Sequence, residues 1–78
     1  MRLSRHAKNN MRLYGITADE VELIVSSPEQ REEEGDCVVA YRHFLRRFGG
    51  FPLKVVYVME DDEPLIVTVY PLRKTFRR

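Results

Sequence analysis

The sequence predicts an α+β domain in which two N-terminal helices pack on one face of a three- or four-stranded antiparallel meander sheet. Three observations carry this. Up to residue 26, apolar residues recur at helical spacing between recognisable caps. After Pro28 the pattern changes to runs rich in β-branched and aromatic residues. Between those runs stand Gly and Asp pairs suited to tight turns. The 78 residues are 44% hydrophobic and 32% charged, the balance of one soluble domain. A chain this short buries only about 60% of its unfolded surface and has no room for a second core.

Helix 1 is predicted over residues 5–14. Ser4 can accept a hydrogen bond from a first-turn backbone N–H, and Ala7, Met11 and Tyr14 fall on one face. Gly15 then supplies the left-handed residue that ends such a helix. Thr17 and Glu20 form a capping box that starts helix 2, predicted over 18–26, and Ile16 and Val21 are placed to close over it as a hydrophobic staple. Val21, Ile24 and Val25 supply the buried stripe. Pro28 disfavours helical geometry at Ser27 and ends the helix.

Residues 29–34 are almost wholly polar and read as a solvent-facing edge strand or an open loop; charges on an edge discourage pairing with a second molecule. Gly35-Asp36 turns the chain into a strand predicted over 37–44. Residues 45–52, with Arg46, Arg47, Gly49 and Gly50, form a connection. The strand over 53–60 follows from its β-branched and aromatic content. Asp61-Asp62-Glu63-Pro64 is a turn by composition, and a last strand is predicted over 65–71, before a basic tail at 73–78.

No apolar run approaches the roughly 18 to 20 residues that span a bilayer, and residues 1–14 lack the apolar stretch of a signal peptide, so the expected compartment is the cytoplasm. Cys37 is the single cysteine and reads as a strand residue. His6 and His43 have no cysteine partners at zinc spacing, so no metal site is expected. A core this small makes self-association as a homodimer an expected way to gain stability.

The net charge is only +1, but the charges lie in blocks. Residues 1–16 carry Arg2, Arg5, Lys8 and Arg12 with no acid, and residues 42–54 carry Arg42, Arg46, Arg47 and Lys54 with no acid. Asp19 to Asp36 holds eight carboxylates against one arginine. Such blocks are either solvated faces or, if helix 1, the loop at 44–51 and the tail converge, a cationic patch for an anionic partner, with RNA the natural candidate. Arg5, Lys8, Arg46, Arg47, Arg73 and Lys74 are the RNA-binding candidates.

Strand alternation places Lys54, Val56 and Val58 on one face and Leu53, Val55, Tyr57 and Met59 on the other, which reads as core. Leu65, Val67 and Val69 form the matching apolar set, leaving Ile66, Thr68 and Tyr70 opposite, with Ala40, Arg42 and Phe44 joining them if the register permits. Arg42, Lys54, Thr68 and Tyr70 would then hold a phosphate and stack a base, or serve as ordinary cross-strand filler. His6, in the first turn of helix 1 with Asn10 one turn on, is a candidate general acid or base, or else a surface histidine. His43 reads as an exposed residue at a strand end.

Ser4-x-His6-Ala7, Tyr14-Gly15-Ile16-Thr17 leading into Glu20-Val21, Pro28, Lys54-Val55-Val56-Tyr57 and Val67-Thr68-Val69-Tyr70 together resemble a family of small bacterial domains grouped with BrnT-like and RelE-like toxins. The likeness covers nearly the whole chain, through short motifs. It implies a ribonuclease fold of the barnase, EndoU, colicin and RelE type. For several relatives it also implies a toxin that cleaves RNA and is neutralised by a small antitoxin protein. The family's His-Ala word falls on His6, and its following basic residue on Arg12, where this chain has Asn10-Met11-Arg12 in place of the frequent Glu-Arg-Met. Arg42, Lys54 and Tyr70 are placed by strand parity. The expected reaction is attack of a ribose 2′-hydroxyl on the adjacent phosphorus, with His6 or Tyr70 moving protons and Arg12, Arg42 and Lys54 stabilising the phosphoryl charge. It needs neither metal nor cofactor. The alternative is a non-catalytic RNA- or protein-binding module of the same fold.

Overall fold

The computed structural model describes residues 1–73. Its elements run β1 (Arg2–Leu3), α1 (Arg5–Tyr14), α2 (Ala18–Ser26), β2 (Gln30–Glu34), β3 (Cys37–Arg42), β4 (Leu53–Glu60) and β5 (Glu63–Pro71), with a short 3₁₀ turn at Phe48–Gly50 between β3 and β4. The α+β class and both helices follow the sequence reading. The sheet departs from it, having five strands in the order β1-β5-β4-β3-β2 and mixed rather than wholly antiparallel pairing. The fifth strand is β1, whose two residues pair parallel with Leu65 and Ile66 of β5. Two residues carry no readable strand pattern. The long-range hydrogen bond from Ser4 N to the Ile66 carbonyl, 3.0 Å, completes the pairing.

The helix caps form as their residue types dictate. Ser4 Oγ accepts from Ala7 N at 3.0 Å, and Gly15 adopts φ 68°, the left-handed geometry that costs an L side chain more. Thr17 Oγ1 accepts from Glu20 N at 3.1 Å while Glu20 Oε1 accepts from Thr17 N at 2.9 Å, closing the capping box. Ile16 and Val21, the staple pair, are both buried. The first hairpin has Gly35 at φ 61° opening a two-residue turn between the paired Glu34 and Cys37. In the second, Asp61 and Asp62 both have positive φ, and Glu60 pairs with Glu63, so Glu63 and Pro64 belong to β5 rather than to a turn. The strand expected to reach residue 44 stops at Arg42; Phe44 leaves the sheet and packs against the core.

Both helices lie on one face of the sheet, α1 against β5 and β1, α2 against β3 and β4. Between the layers sit Ala7, Ile16, Val21 and Ile24 from the helical side, and Val38, Ala40, Leu53, Val55, Tyr57, Ile66 and Val69 from the strands. A register shift opposite Val56 and Tyr57 inserts Val67 as an extra residue in β5. A bulge of this kind breaks strict alternation. It puts Ile66 and Val69, three apart, in the core and leaves Val67 38% exposed. The expected core set Leu65, Val67, Val69 is therefore corrected to Ile66 and Val69, and Met59, 57% exposed, is no core residue. The carbonyl of Val67 accepts from Ser4 Oγ at 2.7 Å, so the bulge is tied to the cap of α1.

Candidate functional site

The helix-free face of the sheet presents a row fixed by register. Gln30 pairs with Tyr41, Tyr41 with Lys54, and Lys54 with Tyr70, so these four side chains cross β2, β3, β4 and β5 side by side. The next row is Glu32, Val39, Val56 and Thr68. Lys54 Nζ lies 5.7 Å from the centre of the Tyr70 ring, within the range of a cation–π contact. Burial works against the Lys54 ammonium, but the adjoining Tyr70 and Tyr41 side chains and the Glu34 carboxylate outweigh it and hold its pKa above the ordinary lysine value. Lys54 is thus charged at neutral pH. Burial raises the Tyr41 phenol, with Glu32 and Glu34 adding and Lys54 opposing, so Tyr41 is a hydrogen-bond donor there.

Arg42 does not join this row. It pairs with the buried Leu53, on the helix-bearing side, and its Nη1 donates to the Ser27 carbonyl at 2.7 Å, where it satisfies the C-terminus of α2. Ala40 and Phe44 are likewise on the core side. Of the four residues expected together, Lys54, Thr68 and Tyr70 share a face, and Tyr41 takes the place assigned to Arg42.

Helix α1 borders the open face through one flank. Asn10 Nδ2 donates to Thr68 Oγ1 at 3.3 Å, and His6, four residues earlier, stands on the same flank, exposed and with no hydrogen-bond or ion partner among the described residues. Arg5, Lys8 and Arg12 are exposed on the solvent side of α1, away from the buried Ala7. Arg12 is therefore separated from Lys54 and Tyr70.

Arg47 has a structural engagement. Its Nε and Nη2 each donate to a Glu20 carboxylate oxygen at 2.9 Å, Nη2 also donates to the Gly15 carbonyl at 2.8 Å, and the guanidinium covers the Phe48 ring at 4.6 Å. This clamps the β3–β4 connection to the α1–α2 corner. Arg46 is exposed at φ 60°, and Lys74 lies outside the described residues, as does the rest of the tail beyond Arg73. The expected convergence of helix 1, the loop and the basic tail into a cationic patch falls on residues beyond Arg73 and so lies outside the described residues. Leu13, Tyr14, Phe48, Phe51, Pro71, Leu72 and Arg73 line an open groove of about 530 Å³ whose lining is mostly apolar and contains no carboxylate.

At the end of β3, Glu29 Oε1 accepts from both the backbone N–H of His43, at 3.0 Å, and its ring Nδ1, at 2.8 Å. These hydrogen bonds, the ring one foremost, hold the Glu29 carboxyl below its ordinary pKa against a smaller opposing effect of burial. Sequence reading dismissed His43 and did not single out Tyr41. Nothing in the sequence fixes the β3–β4 register across the long connection at 43–52, which is what brings Tyr41 beside Lys54.

Among the described residues no three His, Cys, Asp or Glu side chains gather as a metal site, and no helix is long and apolar enough to cross a membrane. No curated protein and no solved structure matches the chain. One family does, described as "Domain of unknown function (DUF4258)", and its match extends over residues 3–71, from β1 to the end of β5. The chain belongs to that family.

Proposed function

We propose that the domain binds single-stranded RNA on the helix-free sheet face and cleaves it without a metal ion, as a toxin-type endoribonuclease controlled by a small partner protein. The observation that supports this best is the Tyr41–Lys54–Tyr70 row. It offers a charged ammonium between two phenols on an open surface, and proteins hold unstacked nucleotides by combining a cation for the phosphate with aromatic rings for the bases. Lys54 stabilises charge on the phosphoryl oxygens, and Tyr70, beside it, supplies a proton donor. Glu32 and Glu34 border the row on β2 and repel a phosphate chain, so the strand runs from Lys54 towards β5 and the His6 and Asn10 flank of α1. The resemblance to RelE-like and BrnT-like toxins agrees with this reading.

The partner is matched by the groove between α1 and residues 48–51. Its apolar lining and Arg73, with no acid, fit an amphipathic acidic segment better than a nucleic acid, which would leave Leu13, Tyr14 and Phe51 unused. The test is incubation of labelled single-stranded RNA in EDTA. The protein is expected to cut it, and Lys54→Ala and Tyr70→Phe each to slow cutting by about 10²-fold or more, with the melting temperature little changed. Binding of RNA that is recovered intact would leave the non-catalytic module as the function. The absence of both binding and cleavage at low salt would overturn the proposal.

A further inference from the structure

One margin of the helix-free face carries an amide to which the proposed chemistry gives no task. In β5 the extra residue Val67 shifts the alternation. Ile66 is therefore in the core, while Thr68, paired with Val56, and Tyr70, paired with Lys54, both stand on the helix-free face. Ser4 Oγ donates to the Val67 carbonyl at 2.7 Å, and Asn10 Nδ2 donates to Thr68 Oγ1 at 3.3 Å. Helix α1 is thereby tied to two successive residues at the bulge, and the Asn10 amide is held at the edge of the open face beside Thr68.

That amide is only half used. An amide side chain has two donor protons and a carbonyl acceptor, and a hydroxyl that accepts still has its own proton to give. The hydrogen bond between them leaves Asn10 Oδ1, one Nδ2 proton and the Thr68 hydroxyl proton without a partner among the described residues. Both residues are half-buried, so the contact that orients the amide is partly sheltered from water.

The neighbouring residues suit a nucleobase. Thr68 and Tyr70 are two residues apart on one strand face, roughly 7 Å, a span that a purine ring system fills. Val56, half-buried beside Thr68, supplies an apolar floor. Lys54, across from Tyr70, is the phosphate position. A base stacked on Tyr70 with its phosphate at Lys54 thus turns an edge to Asn10 and Thr68. An amide pairs with one donor and one acceptor side by side. Adenine presents that pair on both edges, N6–H beside N7 and N6–H beside N1, whereas guanine, cytosine and uracil present it only on the Watson–Crick edge.

We propose that Asn10, oriented by Thr68, reads an adenine base stacked on Tyr70 and makes the RNA site selective for adenine beside the phosphate held by Lys54, an inference that rests on the function proposed above. Asn10 touches the base. Thr68 is a positioning residue, since it acts through the amide.

The test measures binding of short labelled 2′-fluoro single strands, which keep the ribose pucker of RNA and cannot be cut by attack of a 2′-hydroxyl. The strands carry uracil throughout except for one central position, which is A, G, C or U. The adenine strand is expected to bind about tenfold or more tighter than the other three. Replacing the adenine by purine, which lacks the N6 amino group, removes that preference. Asn10→Ala also removes it, and Thr68→Val narrows it, while both variants hold the all-uracil strand as wild type does. Equal binding of the four strands, a preference for another base, or an adenine preference that survives Asn10→Ala would overturn this assignment and leave RNA binding at the row standing. Failure to bind these strands and unmodified RNA alike would remove both.

Discussion

Lys54 and Arg42 show how one residue's register decides its chemistry. Both were candidates for the same phosphate, yet a one-residue difference in pairing sends Lys54 to the open face and Arg42 to the end of α2. Glu20 and Glu29 are the acids with the most to lose on protonation. Burial pushes Glu20 up, but the hydrogen bonds from Arg47 and from the Thr17 backbone outweigh it and its pKa is lowered; Glu29 is lowered chiefly by His43. A carboxyl whose folded pKa is depressed contributes stability that is fully present above its unfolded value, near 4.5 for both, and lost as pH falls through the folded value. Thermal melts should therefore show stability declining below about pH 4.5, and the double variant Glu20→Gln, Glu29→Gln should decline less over that range. An equal decline would mean other acids dominate. The sequence showed Glu20 through its capping box but gave no sign of its second partner, since Arg47 is 27 residues away and arrives by way of an irregular loop.

Among the elements, those with local causes were the most legible. Gly15, the Thr17–Glu20 box and Pro28 bound the helices by rules that act within a few residues, and the Gly35-Asp36 turn set the β2–β3 register. β1 and the Val67 bulge were not legible because each exists through a partner more than 60 residues away, Ser4 bonding Val67 and Ile66. The β4–β5 turn was recognised, and its conformation has a cost. Asp61 and Asp62 sit at φ 54° and 63°, where an L side chain is disfavoured by about 1 kcal/mol and Asn-Gly is the preferred pair. Replacing Asp62 by Gly is expected to stabilise the domain by up to about 1 kcal/mol, a rise of about 4–8 °C in Tm, readable by circular dichroism. A fall in Tm would show that Asp62 holds an interaction worth more than the strain.

On the scale of the whole molecule, the sheet separates two tasks. One face carries the helices and the core, and the other carries the Tyr41–Lys54–Tyr70 row, so substitutions in the row leave the packing between layers intact. The row and the groove are separate surfaces, so the proposed RNA binding and the proposed partner docking should be separable by mutation. The parallel seam between β1 and β5 has a kinetic consequence. The two hairpins close over two-residue turns, whereas Ser4 reaches Val67 across 63 residues, a closure whose entropy is lost before any contact rewards it. Residues 1–14 should therefore join a preformed β3–β4–β5 meander, after the rate-limiting step. Ser4→Ala, which removes the α1 cap and the tie to the bulge, should cost about 1–2 kcal/mol and appear almost wholly in the unfolding rate, whereas Val55→Ala in β4 should slow folding. A slowed folding limb in Ser4→Ala would place the seam in the nucleus instead. Late joining implies early departure: the lifetime of the native state is governed by how long the first fourteen residues stay attached to β5.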